Sequence, residues 1–476
     1  MHTKHVIAVF LWFVSVVQLS AQMQDISVTI HLRGVNNSKI SILGRTDSQI
    51  FKPIEEVPNV SNGETTRISV SKAYLPGEFV LRFDYKEKET STPYPAEKYF
   101  FINDQDLELW VNPLYSNNKD STWFQKNERE NSAFNRFSEE NGRRKVKLGL
   151  LQNFLMNYDD TKSQFYQQGI TEYELRCQSY NQWLSDCIKK DTALFVSNLY
   201  RFEYVPEISW TGTEADRVKS MISHYFDGMD FDSPLLIKVS ELNKWMDNYV
   251  NLYGELSTTV ALRDSLLPEA GRTAIEKAKK GNPMIYGWMV DYFYKGFETN
   301  GITAGMKILE PYMNDPNCLT SKRLEIARRL EGIKTLLPGT RAPDITMKDI
   351  EGNLFSLYTF EPQSRYLLIL FWAAGCSHCM ETVSKLYPWQ QQKELLEKIT
   401  VLAISLDESE SEIKLWEQKK TELKGWKHLG EPLGVRSQVA NDYYILSTPV
   451  MILLDSKSKN IIALPNTVEE LMAAIK

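Results

Sequence analysis

Apolar and polar residues alternate over five short segments near the N terminus of this 476-residue chain. The segments are "DISVTIHL", "KISILG", "TTRISVS", "GEFVLRFDY" and "LELWV". A period of two residues is typical of strands that bury one face, and turn residues separate the segments at "SNGE" and "LPGE". The pattern predicts a small antiparallel β domain over residues 22–118.

The period lengthens to that of helices over residues 119–336, which predicts a central all-α domain. The helical segments include "STWFQKNERENSAFNRF", "TEYELRCQSYNQWLSDCIKKD", "SPLLIKVSELNKWMDNYVNLYG", "GRTAIEKAKKG", "MIYGWMVDYFYKGFE" and "SKRLEIARRLEGIKTLL". Six prolines are expected between helices: Pro206, Pro234, Pro268, Pro283, Pro311 and Pro316. Five aromatic residues recur at helical spacing and are interpreted as core rather than as a groove: Trp183, Trp245, Tyr249, Trp288 and Tyr292.

A third pattern covers residues 337–476 and predicts an α/β domain. A linker containing proline and glycine opens it, and a hairpin is expected to turn at Glu351, Gly352 and Asn353. The segment "RYLLILFW" is almost continuously apolar, as expected for a central strand that is buried on both faces. The segments from there onward predict the order strand–helix–strand–helix, then strand–strand–helix.

Composition narrows the classes of function. The net charge of −6 provides no basic surface for nucleic acid, and we find no second apolar run of membrane length. Residues 1–21 have the order of a secretory signal peptide, with a short apolar run and cleavage expected after Ala21. An uncleaved N-terminal anchor is the alternative. The mature chain is therefore predicted to be exported, to a periplasm or cell envelope, without an integral membrane span.

Two cysteines three residues apart, Cys376 and Cys379, follow the apolar run and precede a predicted helix. A thiolate is the species that attacks a disulfide, and a helix N terminus would favour negative charge on Cys376. Cys379 would lie one turn later, near enough to close a disulfide. Ser377 and His378 stand between them, and a protonated His378 would add to the stabilisation of the thiolate.

Other interpretations of this cysteine pair have less support. A structural zinc site needs four ligands, and the domain has no second pair and only one other histidine, His428. A c-type haem needs histidine directly after the second cysteine, where Met380 stands. A peroxiredoxin-type site lacks its usual upstream proline and threonine, and two inert buried cysteines remain open. We predict neither a metal nor a cofactor.

The other three cysteines are expected to be free. If one helix carries Cys177 and Cys187, they lie about 15 Å apart along its axis, too far for a disulfide. A pairing of Cys318 with one of them is left open.

The C-terminal part contains three short motifs: Pro338 and Gly339 with "APD" at 342–344, "FWA" at 371–373 leading into "CSHC", and Thr448 with Pro449. These motifs resemble those of the exported TlpA/ResA-type thiol-disulfide oxidoreductases, and the β and helical regions ahead of them look like the arrangement in exported multidomain proteins of the Bacteroidota type. The resemblance covers about 140 residues and implies a thioredoxin fold. It also implies that Cys376 is the nucleophile, that Cys379 is the resolving thiol, and that Pro449 is cis with Thr448 facing the dithiol.

The chain departs from this family at several positions. Gly375 replaces the usual tryptophan before the first cysteine, and Leu370 occupies the position where thioredoxins often carry a buried acid. Thr382 stands where a glutamate is usual, which makes the neighbouring Glu381 a candidate for proton handling, against a simple solvated glutamate. Pro388 is expected to kink or end the helix.

The sequence therefore predicts an enzyme that exchanges disulfides with protein thiols, together with an unidentified redox donor or acceptor. His378 and the missing acid at position 370 favour an oxidising dithiol, and a reductant is the strong alternative. A second hypothesis is a non-catalytic exported binding or scaffold protein that uses its β and helical domains.

Overall fold

The computed structural model describes residues 25–45, 51–349 and 352–475. They form two compact units that divide between Tyr249 and Val250. The predicted signal peptide, residues 1–21, lies outside the described residues. In the part of the chain that is described, no helix is both long and apolar enough to cross a membrane.

The first unit opens with two four-stranded sheets. Their strands are β1 (Ile26–Leu32), β2 (Asn37–Arg45), β3 (Phe51–Ser61), β4 (Thr65–Val70), β5 (Gly77–Lys86), β6 (Tyr94–Ile102), β7 (Leu107–Val111) and β8 (Trp123–Phe124). The strand orders are β4-β1-β7-β8 and β3-β2-β5-β6. The five predicted strands are all present, and β1 alternates buried and half-buried residues as its sequence predicts. The β1–β7 pair is parallel, which differs from the predicted antiparallel domain.

Strands β3, β6 and β8 were not predicted. Strand β3 carries Pro53 and Pro58, which count against a central strand, but it lies at the edge of its sheet, where proline is tolerated. Strand β6 lies at the opposite edge of that sheet. Strand β8 occupies residues that were assigned to the first long helix. That helix begins at Glu130 because Trp123 and Phe124 pair with β7.

Helices complete the first unit. They are α1 (Glu130–Asn157), α2 (Gln164–Lys190), α3 (Ser197–Tyr200), α4 (Glu214–His224) and α5 (Glu241–Leu256), the last of which crosses into the second unit. Cys177 and Cys187 both lie in α2 and are unpaired, as is Cys318. Of the five aromatic residues predicted to be core, Tyr249 is fully buried. The other four are half-buried and pack against neighbouring rings.

The second unit continues with five helices: α6 (Val260–Ala278), α7 (Pro283–Thr299), α8 (Thr303–Ile308), α9 (Glu310–Met313) and α10 (Arg323–Thr335). The prediction that Pro268 lies between helices is wrong, because it lies inside α6. Proline removes one backbone hydrogen bond there. The helix nevertheless continues, since Ala270, Ala274 and Ala278 are all buried along it. The expectation that Pro283 begins a helix is confirmed.

A five-stranded sheet organises the C-terminal part of this unit. Its strands are β11 (Tyr366–Trp372), β12 (Ile399–Ser405), β13 (Lys427–Gly430), β14 (Val450–Asp455) and β15 (Ile461–Ala463), and a separate hairpin pairs β9 (Thr346–Lys348) with β10 (Leu354–Ser356). The order is β13-β12-β11-β14-β15. Strands β11, β12 and β13 run parallel, whereas β14 is antiparallel to β11. Glu351, one residue of the predicted turn, lies outside the described residues.

Strand β11 lies at the centre of this sheet, and all seven of its residues are buried. Leu367, Ile369 and Phe371 face one apolar core, while Leu368 and Leu370 face the other. Around the sheet lie α11 (Ser377–Gln390), α12 (Lys393–Leu396), α13 (Glu410–Glu422), α14 (Gln438–Asp442) and α15 (Val468–Ala474). The predicted α/β order is confirmed, and β13 is the strand of this sheet that the sequence pattern missed.

Candidate active site

Cys376 lies at the N cap of α11, directly beyond the buried strand β11. Its Sγ accepts a hydrogen bond from the backbone N–H of Cys379 at 3.3 Å. The side chain is half-buried, so a partner molecule can reach the sulfur. A backbone N–H is therefore aimed at the sulfur, which lies at the positive end of the helix dipole. The position therefore suits a nucleophile.

Cys379 lies one turn later and is fully buried, in the apolar cluster that contains Trp372 and Val383. Burial, followed by the hydrogen bond with Cys376, raises the pKa of Cys379 from 9.0 to about 12, although a hydrogen bond to Thr448 partly opposes the shift. Cys379 therefore stays a protonated thiol at neutral pH. The half-buried Cys376 can meet a partner molecule, whereas the fully buried Cys379 is shielded from one. The two thiols can therefore take different roles.

The segment before β14 approaches the cysteines from the other side. The Thr448–Pro449 peptide bond is cis, as the resemblance implied. The Cys376 thiol lies 3.6 Å from the carbonyl oxygen of Thr448, to which it can donate a hydrogen bond. The fold thus brings together the two predicted parts of the site, which lie 72 residues apart in the chain.

The remaining predicted site residues lie on the exposed side of α11. Ser377 and His378 are exposed, and no side-chain hydrogen bond of His378 is found within the described residues. The Glu381 side chain is 64% exposed and pairs with Lys385 at 3.2 Å. This pairing favours the solvated-glutamate interpretation over proton handling. Helix α11 continues through Pro388 and ends two residues later, at Gln390.

Asp407 is a buried acid that the sequence analysis did not single out. It is 3% exposed and follows β12, the parallel neighbour of β11. Both of its carboxylate oxygens lie 3.0 Å from the backbone nitrogen of Ala374, which donates to them, and the Ser405 hydroxyl donates to one oxygen at 2.7 Å. Asp407 therefore holds the turn that leads into Cys376. Parallel strands end at the same edge of a sheet. The aspartate at the end of "ITVLAISLD" could therefore have been predicted to lie near the end of β11, where the cysteine pair follows.

Gly375, which directly precedes the nucleophile, lies beside Glu412. The nearest atoms that a Cβ there would meet are Cγ and Oε1 of Glu412, at 3.6 and 3.8 Å. Glu412 closes a capping box with Ser409 at the start of α13, and these hydrogen bonds lower the pKa of its carboxyl group. Gly375 therefore borders on a carboxylate.

The described residues contain no group of three or more His, Cys, Asp or Glu side chains arranged to hold a metal ion. His428, the other histidine of the domain, is buried, and its Nε2 lies 3.1 Å from the carbonyl oxygen of Leu423.

Comparison with known proteins gives one family match and several similar solved structures. Residues 338–467 match the model of the AhpC/TSA family. A thioredoxin-like protein from Bacteroides caccae is 21% identical, with coverage of 57% of this chain and 96% of that chain and a TM-score of 0.40. A domain of a possible thiol-disulfide isomerase from Cytophaga hutchinsonii is 32% identical, covering 29% and 90%, with a TM-score of 0.25. A thiol-disulfide oxidoreductase from Bacteroides fragilis is 29% identical, covering 28% and 96%, with a TM-score of 0.25. No curated protein matches.

The strand order, the cysteine pair at the N terminus of α11 and the family match define the C-terminal part as a thioredoxin-fold domain. The C-terminal part is therefore a TlpA-like thioredoxin-fold domain, and a β region and a helical region precede it in the chain.

Replacing Asp407 tests whether the carboxylate holds the turn. Asp407→Ala leaves the buried Ala374 N–H without an acceptor, and we expect a loss of about 1–3 kcal/mol in the free energy of unfolding. Asp407→Asn keeps an acceptor oxygen and should lose less. Urea denaturation of both variants, with the exposed Glu381→Ala as control, measures the difference. Equal midpoints for Asp407→Ala and wild type would contradict this role.

The raised pKa of Cys379 predicts a dependence of stability on pH. Above pH 9.0 the unfolded chain loses the Cys379 proton, whereas the folded chain keeps it until about pH 12. Folding stability should therefore fall as pH rises through this window. The free energy of unfolding of the reduced wild type, minus that of Cys379→Ala, should decrease steadily above pH 9. A difference that does not change with pH would show that the pKa is not raised.

Proposed function

We propose that this protein is a thiol-disulfide oxidoreductase that exchanges disulfides with protein thiols. The observation that carries the proposal is that the two thiols differ in their exposure to solvent and in their surroundings. Cys376 is reachable and receives a backbone N–H, whereas Cys379 is shielded and stays protonated. Among the described cysteines, Cys376 and Cys379 are both free thiols, so each is available to the other.

The reaction proceeds in two exchanges. The Cys376 thiolate attacks one sulfur of a substrate disulfide, which forms a mixed disulfide and releases the other substrate sulfur as a thiolate. Cys379 then loses its proton and attacks Cys376, which forms the Cys376–Cys379 disulfide and releases the second substrate thiolate. The substrate gains two electrons and the protein loses two. A dithiol donor must reduce the protein again, and the reverse sequence oxidises a substrate dithiol.

The segment around the cis peptide is proposed to bind the substrate chain. Thr448 lies beside Cys376, and backbone groups next to Pro449 are available to an extended peptide. Export to a periplasm or cell envelope is part of the same proposal and is supported by the pattern of residues 1–21.

The alternative of a non-catalytic scaffold protein has less support. It would use aromatic side chains of the helical region to capture a ligand. Tyr249 is fully buried, and the other four candidate rings pack against neighbouring aromatic side chains. These side chains are engaged in packing, which is the role that their helical spacing favoured.

The resolving role of Cys379 predicts a trapped intermediate. In Cys379→Ser the mixed disulfide on Cys376 cannot be resolved, so adducts with substrate proteins should accumulate. They should appear on a non-reducing gel of the periplasmic or envelope fraction and disappear on reduction. Cys376→Ser is the matched control and should give none. Equal adduct formation by both variants would show that the two roles are assigned wrongly, and adducts confined to the cytoplasm would contradict export.

The direction of electron flow is a further prediction. His378 precedes the second cysteine at the exposed start of α11, where a protonated imidazole favours the Cys376 thiolate. Stabilising the reduced form raises the potential, by 30 mV for each ~1.4 kcal/mol. Titration against glutathione should give a potential above about −270 mV, the thioredoxin value. His378→Pro should lower it. A wild-type value at or below that of thioredoxin would favour a reductant instead.

A further inference from the structure

Helix α10 precedes the thioredoxin-fold domain in sequence, yet it contacts the chain that leads to the cis peptide. The guanidinium of Arg328 donates from Nη2 to the carbonyl oxygen of Ala440 at 3.0 Å and to that of Ile445 at 3.2 Å. Ala440 lies in α14, and Ile445 lies in the segment that follows this helix. Arginine is charged at any physiological pH, so these are charge-assisted hydrogen bonds, which are stronger than neutral ones.

A second contact lies one turn further along α10. A Cβ atom at Gly332 would come within 2.7 Å of Cβ of Tyr444, so only glycine allows the helix to approach this closely. Tyr444 has a φ of 53°, in the left-handed region that is unfavourable for a bulky residue. Such a conformation persists only where surrounding contacts hold it. The backbone of α10 provides one of those contacts.

Residues 443–445 are therefore held from two directions. On the sheet side the ring of Tyr443 packs 5.4 Å from that of Phe371, and its hydroxyl donates to the carbonyl of Pro343. On the outer side Arg328 and Gly332 contact the residues that follow. Thr448, whose carbonyl lies beside the Cys376 thiol, comes three residues after Ile445. Because the two residues are only three positions apart, the position of Ile445 restricts where Thr448 can lie relative to Cys376.

We propose that Arg328 is a positioning residue for the substrate-binding segment, through which the helical region sets the reactivity of the dithiol toward polypeptide substrates. This proposal rests on the proposed thiol-disulfide exchange. A peptide must form backbone contacts beside Thr448 and Pro449, whereas a small disulfide needs only the Cys376 sulfur. Loss of the anchor should therefore weaken reaction with a polypeptide more than reaction with a small molecule.

The neighbouring Arg329 offers a matched control. It lies on the same helix with similar exposure, but its Nε donates to Glu298 at 3.0 Å, within the helical region. Arg328→Met removes the donors to Ala440 and Ile445 and keeps the aliphatic stem. Arg329→Met removes a surface ion pair without touching the segment. Arg328→Lys keeps the charge and three N–H donors but lacks the rigid, planar guanidinium, so it should recover part of the effect.

The first measurement does not depend on activity. In the full-length protein, hydrogen exchange of backbone amides over residues 444–448 should be about tenfold faster in Arg328→Met than in wild type, as for an anchor of about 1.4 kcal/mol. Exchange in Arg329→Met should match wild type. Unchanged exchange in Arg328→Met, or the same increase in both variants, would overturn the proposal.

The second measurement compares two substrates. With insulin as the polypeptide disulfide, Arg328→Met should raise KM about tenfold and leave kcat within about twofold, because substrate binding is lost rather than chemistry. With hydroxyethyl disulfide the rate should stay within about twofold of wild type. An equal loss toward both substrates would overturn the positioning role. If wild type neither reduces these disulfides nor oxidises the reduced substrates, the proposed function itself fails, and the hydrogen-exchange measurement still decides whether Arg328 holds the segment.

Discussion

Complete burial of β11 is the constraint on which the rest of the site depends. The strand lies at the centre of its sheet and buries apolar side chains on both faces. This packing fixes the position of its C-terminal end. The chain leaves the sheet there and enters α11 within four residues, which places Cys376 at the helix N terminus and Cys379 under it. The same burial that fixes the strand also shields Cys379 and keeps it protonated.

Neighbouring strands supply the other parts of the site because their ends meet at that edge of the sheet. Strand β12 runs parallel to β11 and carries Asp407 to the turn before Cys376. Strand β14 runs antiparallel, so its beginning lies at the same edge and brings Thr448 to the nucleophile. Three segments that are remote in sequence thus surround one sulfur. Leu370 occupies the central-strand position of the acid that thioredoxins often carry, whereas the buried Asp407 lies just beyond the end of the neighbouring strand.

The second unit joins helices of the central region to the thioredoxin-fold domain. The predicted boundaries 22–118, 119–336 and 337–476 follow changes in sequence pattern, whereas the compact units divide between Tyr249 and Val250. Leu336, at the end of α10, belongs to the apolar core beneath β11. A change in hydrophobic period marks where one kind of secondary structure ends. It carries no information about which helices pack against which sheet, because that depends on side-chain contacts between distant segments.

The sequence by itself determined the class of each region, the central strand and the cysteine pair, and the family resemblance implied the cis peptide before β14. These features depend on local patterns or on short motifs: a continuous apolar run, two cysteines three apart, and Thr448 with Pro449. Only the tertiary structure decided the roles of Asp407 and Arg328 and the edge position that lets β3 contain prolines. An aspartate after a strand and an arginine on an amphipathic helix are ordinary in sequence. Their meaning comes from the backbone groups that folding places against them, 33 and up to 117 residues away in the chain.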